Sequence, residues 1–168
     1  VLTAAMLLTL AAPLARAGGQ APPATPEGGR GFEGTWSATG RRHTLPTGGD
    51  RPAAIVQVSG AVVLTLGEGL GRGFRGELIG FDDGQGLSVG RWVWTDERGD
   101  RVFGEVRGGP LRAGRQLAGA ITGGTGRYAG LTGEVWLTWQ YVVDAEGGTV
   151  QVRTTALKGW YRPGGAMP

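Results

Sequence analysis

Residues 73–107 read GFRGELIGFDDGQGLSVGRWVWTDERGDRVFGEVR, and this stretch decides the fold. Apolar or small residues recur at every second position through Phe74, Gly76 and Leu78, through Trp92 and Trp94, and through Val102, Gly104 and Val106, the period of strands with one buried face. Gly/Asp clusters at 82–86 and 96–100 break the alternation at hairpin spacing. With the first turn centred on Gly84 and the second on Arg98, Trp94 stands between Phe74 and Val102, and Trp92 between Gly76 and Gly104. An indole with glycine on both neighbouring strands is large set against small, as in the interior of a narrow barrel.

Working outward, the same period marks runs at 32–42, 53–66, 72–82, 87–95, 101–107, 115–122, 132–143 and 149–161, mostly joined by short loops. No window carries a sustained helical period. Eight such runs predict an all-β domain, a closed eight-stranded antiparallel up-and-down barrel of calycin-like type, with a β-sandwich as the alternative. A turn near Gly69 sets Leu64 beside Phe74 and Val62 beside Gly76. The inward face then reads Val56, Val58, Val62, Leu64, Phe74, Leu78, Trp92, Trp94, Val102 and Val106. The outward face carries Gln57, Ser59, Arg75, Glu77, Arg91, Glu105 and Arg107, with Glu77, Arg91 and Glu105 in one row and Arg115 as a fourth member. That row reads as a surface ion-pair ladder, in preference to two carboxylates doing acid/base work around an arginine.

The composition removes whole classes of chemistry. Among 168 residues there are 35 glycines, one histidine and no cysteine, so disulfides, thiolate nucleophiles, sulfur-ligated zinc and His-rich metal centres are excluded. Glycine is about a fifth of the chain against roughly 7% in ordinary proteins, without a Gly-X-Y period. The net charge is only +3, and all but one of the 17 basic residues are arginine. These are dispersed, with no basic run or aromatic RNA-binding signature, so no nucleic-acid partner is expected. The Arg, Ala, Gly and Pro bias fits a GC-rich genome.

Residues 1–14, VLTAAMLLTLAAPL, are apolar or small, and Ala15-Arg16-Ala17 is a small-x-small triplet of the kind signal peptidase accepts. The reading is a signal peptide over 1–17 and a secreted or periplasmic protein without a stable membrane anchor; a buried N-terminal helix is the alternative. A flexible Gly/Pro linker is expected over 18–31, a barrel domain over 32–162 and a disordered tail over 163–168.

The string ITGGTGRYAG at 121–130 looks like a phosphate-binding loop, but that requires a following amphipathic helix, and GEVWLTWQY at 133–141 is a strand. Its glycines are expected to let a connection fold tightly over one barrel end. Together with the continuation LTGEV and with Ala156-Leu-Lys-Gly159 on the last strand, the string resembles the allene oxide cyclase and dirigent-like barrel superfamily, here in a bacterial, secreted member. In that superfamily a glycine-rich segment with an aromatic residue links two late strands of an eight-stranded barrel.

That resemblance implies an apolar ligand cavity, dimers or trimers, and cyclisation or coupling chemistry without a cofactor. The first strand, Trp36-Ser-Ala-Thr-Gly-Arg41, lacks the glutamate and asparagine of the cyclases, and there is no cysteine, so their catalytic residues do not carry over. Cavity candidates are Trp36, Phe74, Trp92, Trp94, Trp139, Tyr141, Thr154 and Lys158, the last following Thr154 on the inward face. His43 belongs to a solvated loop at one mouth. The leading function is binding of an apolar small molecule in a Trp-lined interior. The alternatives are a cofactor-free cyclase or isomerase, and a structural barrel whose side chains fill the lumen.

Overall fold

The alternating runs become strands of nearly the expected extent in a computed structural model that describes residues 24–49, 51–108 and 116–164. They are β1 (Arg30–Leu45), β2 (Ala53–Leu66), β3 (Gly73–Asp82), β4 (Ser88–Thr95), β5 (Arg101–Gly108), β6 (Gln116–Gly124), β7 (Thr132–Asp144) and β8 (Thr149–Arg162). Each pairs antiparallel with the next, and β8 pairs with β1, so the sheet is a closed eight-stranded barrel. All ten residues assigned to the inward face are buried, from Val62 at 0% exposure to Leu64 and Phe74 at 5%.

The faces are right although two hairpin registers are not. Gly76 pairs with Trp94 and Leu78 with Trp92, a shift of two residues from the expected ladder, and Val62 rather than Leu64 lies opposite Phe74. The β3–β4 turn centres on Gln85, because the Asp83 carboxylate accepts hydrogen bonds from the N–H groups of Gln85, Gly86 and Leu87 at 2.7, 2.9 and 3.0 Å. Those bonds, led by Gln85 and Leu87, hold the Asp83 carboxyl below its usual range. A slip by two preserves the side-chain period, so no residue changes face. It does move the charges. Glu77 faces Val93 and pairs with Arg75 at 2.8 Å, whereas Arg91 keeps Glu105 as its ion-pair partner. Glu105 has Ala120 across from it on β6, and Arg115 lies outside the described residues.

A slip by one has the opposite effect, and β8 contains one. Thr138 pairs with Ala156 and Trp139 with Thr154, so Thr155 is an extra residue on β8. Past that bulge the inward positions become Leu157, Gly159 and Tyr161, and Lys158 turns outward, where its Nζ meets Glu33 at 2.9 Å. Lys158 is therefore not a cavity residue. His43 is likewise not in a loop: it lies within β1, exposed on the outer face opposite Ile55.

The expected signal peptide (1–17), residues 18–23 of the expected linker and the tail from 165 lie outside the described residues. The last part of that linker is held to the barrel. Arg30 and Gly31 add rungs against Tyr161 and Trp160 of β8, and Arg162 donates to the carbonyl of Glu27 at 3.0 Å.

Glycine placement carries a measurable consequence. A Cβ on Gly104 would overlap the Trp92 ring and stand 2.6 Å from the Ala120 carbonyl oxygen, whereas one on Gly73 meets nothing within 4 Å. Gly104→Ala is expected to lower unfolding free energy by about 1–3 kcal/mol, with Gly73→Val neutral or mildly stabilising, both read by denaturant unfolding. Arg91→Ala should cost under about 1 kcal/mol in the same assay, since its pair with Glu105 is solvated.

Candidate functional site

The site is the lumen with its two ends. Indole and phenyl rings lie over glycines of other strands, adjacent for Trp92 and Phe32 and two strands away for Trp36. Trp92 lies over Gly104, Trp36 over Gly76, where a Cβ would come within 3.0 Å of Nε1, and Phe32 over Gly159. Trp92 and Trp94 pack with centroids 4.7 Å apart, and Trp94 meets Phe74 at 5.7 Å and Phe32 edge-on at 6.0 Å. The structure thus brings Trp36, Phe74, Trp92, Trp94 and Trp139 together inside the barrel, each at most 5% exposed. Between them remains a void of about 10 Å³, bounded by Trp36, Leu78, Trp92, Trp94, Val135, Leu137 and Leu157. That is room for at most one water molecule.

The polar atoms of this interior are unevenly satisfied. Thr154 is committed: its Oγ1 accepts the backbone N–H of Trp36 at 2.8 Å, where the β1–β8 ladder shifts between Gly34 and Ser37. By contrast, the indole N–H groups of Trp36, Trp92 and Trp139 are buried without a hydrogen-bond partner. A buried donor left unpaired costs about 1–3 kcal/mol, so three of them in one lumen demand a reason.

One end is sealed by the glycine-rich connection after β6. Gly126 has φ +54° with the Asp100 carboxylate crowding it, as expected of a tight crossing. The crossing, a single 3-10 turn over Gly126–Tyr128, drives Tyr128 into the barrel, where with Leu70, Leu131 and Tyr161 it closes the lumen. Arg127 clamps the plug: its Nη2 lies 2.6 Å from Oδ2 of Asp96, whose side chain is wholly buried. Burial pushes the Asp96 carboxyl up, but hydrogen bonds from the Arg98 N–H, the Arg127 guanidinium, the Tyr128 hydroxyl and the Asp100 N–H outweigh it and hold the group below its usual range.

The other end is polar and less closed. Tyr141 continues the inward face beyond Trp139, centroids 5.6 Å apart, and remains half-buried with the Arg42 guanidinium 5.2 Å above its ring. Burial pushes its phenol up, and Arg42 pulls partly against that. Asp82 is 3% exposed and bridges Arg51 at 3.2 Å, Arg42 bridges Asp144 at 2.8 Å, and the buried Ser88 hydroxyl has no partner. Asp82 and Ser88 were legible in principle, since both continue the inward parity of Phe74 and Trp94. The Tyr128 plug sits in a connection, where no periodicity announces it.

Among the described residues no three His, Cys, Asp or Glu side chains group as metal ligands, and no helix is long and apolar enough to cross a membrane. Searched against protein-family models, curated proteins and solved structures, the chain matches none.

The sealed end gives a stability prediction. Arg127→Ala strands a buried carboxylate and should cost about 2–3 kcal/mol, less than a fully buried pair because Arg127 keeps about a third of its side chain in water. Because the folded-state pKa of Asp96 is depressed, its contribution is present above the ordinary value of 3.8 and is lost as pH falls through the folded value. Parent and Asp96→Asn unfolding curves should therefore differ at neutral pH and converge in strong acid.

Proposed function

We propose that this protein is a secreted or periplasmic small-molecule-binding barrel of the allene oxide cyclase and dirigent-like type, whose ligand is apolar with a hydrogen-bond acceptor on it. The observation that carries this reading is the set of three unpaired indole donors, two of them on side chains bounding the residual void. An acceptor such as a carbonyl or ether oxygen satisfies donors that the protein leaves orphaned, and the apolar remainder matches the walls. Entry is by the Tyr141 end, because the opposite end is plugged and clamped. Uptake requires the rings around the void to move apart. The superfamily assignment rests on the 121–135 string, and export on the small and apolar residues of 1–17. A cyclase or isomerase needs the same uptake as its first step.

A specific observation favours the structural reading instead: a void of about 10 Å³ is what a lumen filled for its own stability leaves. An environment-sensitive naphthyl ketone separates the two. Binding predicts saturable uptake with a blue-shifted emission, and Trp92→Phe, which keeps a ring but deletes the N–H, should weaken it about two- to tenfold. If neither the parent nor the enlarged Trp92→Ala barrel takes up the probe, the lumen is structural.

A further inference from the structure

Four of the six tryptophans fill the lumen, and the other two, Trp136 and Trp160, stand half-buried on the outer wall. They belong to paired strands, Trp136 opposite Lys158 and Trp160 opposite Glu134, and both line one groove of about 300 Å³. The groove crosses the seam where β8 closes on β1. It runs from Trp136 on β7 to Leu66 at the end of β2, whose side chain is 61% exposed. Two charged side chains line it, Glu33 and Lys158, and they neutralise each other at 2.9 Å. The surface is therefore aromatic and aliphatic without net charge. Thr25, ahead of β1, lines it as well.

The Gly29 N–H donates to the carbonyl of Pro26 at 2.9 Å and Gly28 takes φ +73°, so residues 26–29 form a turn that reverses the chain ahead of β1. Thr25 comes to rest over Gly31 on the outer wall, its Oγ1 3.5 Å from where a Cβ would stand. Followed backward from there, the chain is headed along β1 toward Glu33, and the residues before Ala24 are Ala21, Pro22 and Pro23. Two extended residues span about 7 Å, which brings Pro23 within reach of the groove. We propose that the groove is a polyproline-recognition site and that its occupant is the Ala-Pro-Pro segment at 21–23 of the same chain. Each proline restricts itself and the residue before it to extended backbone, so a polyproline II conformation costs little to order and its rings pack on indoles. Proline also lacks an N–H, so it brings no donor to be stranded against an apolar wall. The segment is uncharged, matching a groove whose own charges cancel. Docked there, it straps the β1–β8 seam from outside. Cleavage after Ala17 leaves it on the barrel, and its docking does not depend on ligand uptake by the lumen.

The test is nuclear magnetic resonance of the full chain, in which the six indole N–H groups report separately and Trp136→Phe and Trp160→Phe identify the outer two. Pro22→Gly with Pro23→Gly should shift both outer signals and leave the four lumen signals in place. The same pair should raise iodide quenching of tryptophan fluorescence about twofold, because the lumen indoles are buried from the quencher. Pro46→Gly, on the β1–β2 connection at the other end of the barrel, should change neither. The chain has no cysteine, so Gln20→Cys carries a single nitroxide. It should broaden the Trp136 and Trp160 signals most, and the double glycine variant should remove that preference. Thermal unfolding shows that each variant is folded. Outer signals that ignore the double substitution, or broadening no greater there than in the lumen, overturn the proposal. Broadening of an isotope-labelled, nitroxide-free chain by a nitroxide-bearing one in a mixture also overturns it, by assigning the segment to the groove of a second copy.

Discussion

Closing eight strands into a barrel sets the width of its interior before any side chain is chosen, and everything else here follows from filling that width. Four indoles and the rings of Phe32 and Phe74 are too bulky to share the lumen unless other strands give up side chains. Gly76, Gly104 and Gly159 do so, and each receives a ring. The high glycine content is therefore partly a packing device. Where rings are absent, the same residue allows backbones to come together: Gly40 and Gly60 both leave no room for a Cβ against the paired strand, which lets the long β1 and β2 coil around the barrel.

How much of this was readable from the sequence depended on parity. Inside and outside were legible for β2 through β5 because Val, Trp and Gly alternate cleanly with Arg, Glu and Gln. They stayed correct when the turn at Asp83 shifted the pairing by two. Individual cross-strand neighbours were less secure, since they depend on where a turn centres, and Asp83 fixes that by accepting three backbone N–H groups. Lys158 was misplaced because one extra residue, Thr155, reverses the parity of the rest of β8 and nothing in its composition marks the insertion. Tyr128 and the Asp96–Arg127 clamp were out of reach for another reason: they are tertiary contacts made by connections, which carry no period.

The two ends of the barrel solve the problem of exposed lumen in different ways. One uses a ring inserted from a crossing chain and fixes it with a buried carboxylate. The other relies on Tyr141 over Trp139, with the ion pairs Arg42–Asp144 and Arg51–Asp82 arranged around them. A molecule built this way has a clamped base and a less closed top. The unpaired donors fall within this asymmetric frame, with Trp139 beneath the less closed end.

The closure of β8 on β1 has a further consequence, for chain topology. Arg30 pairs with Tyr161, and Arg162 reaches the carbonyl of Glu27, so the two extremities of the described chain run side by side. The other seven pairings join sequence neighbours, whereas contacts across this seam, such as Trp36 to Thr154, span 118 residues. Closing so long a loop costs about 2 kcal/mol more than closing a hairpin, so the seam is the costliest pairing to form from an unfolded chain. In the finished barrel it is a ladder like the others. The polypeptide could be cut at the β3–β4 turn and rejoined across the seam without altering a rung, making this a scaffold suited to circular permutation.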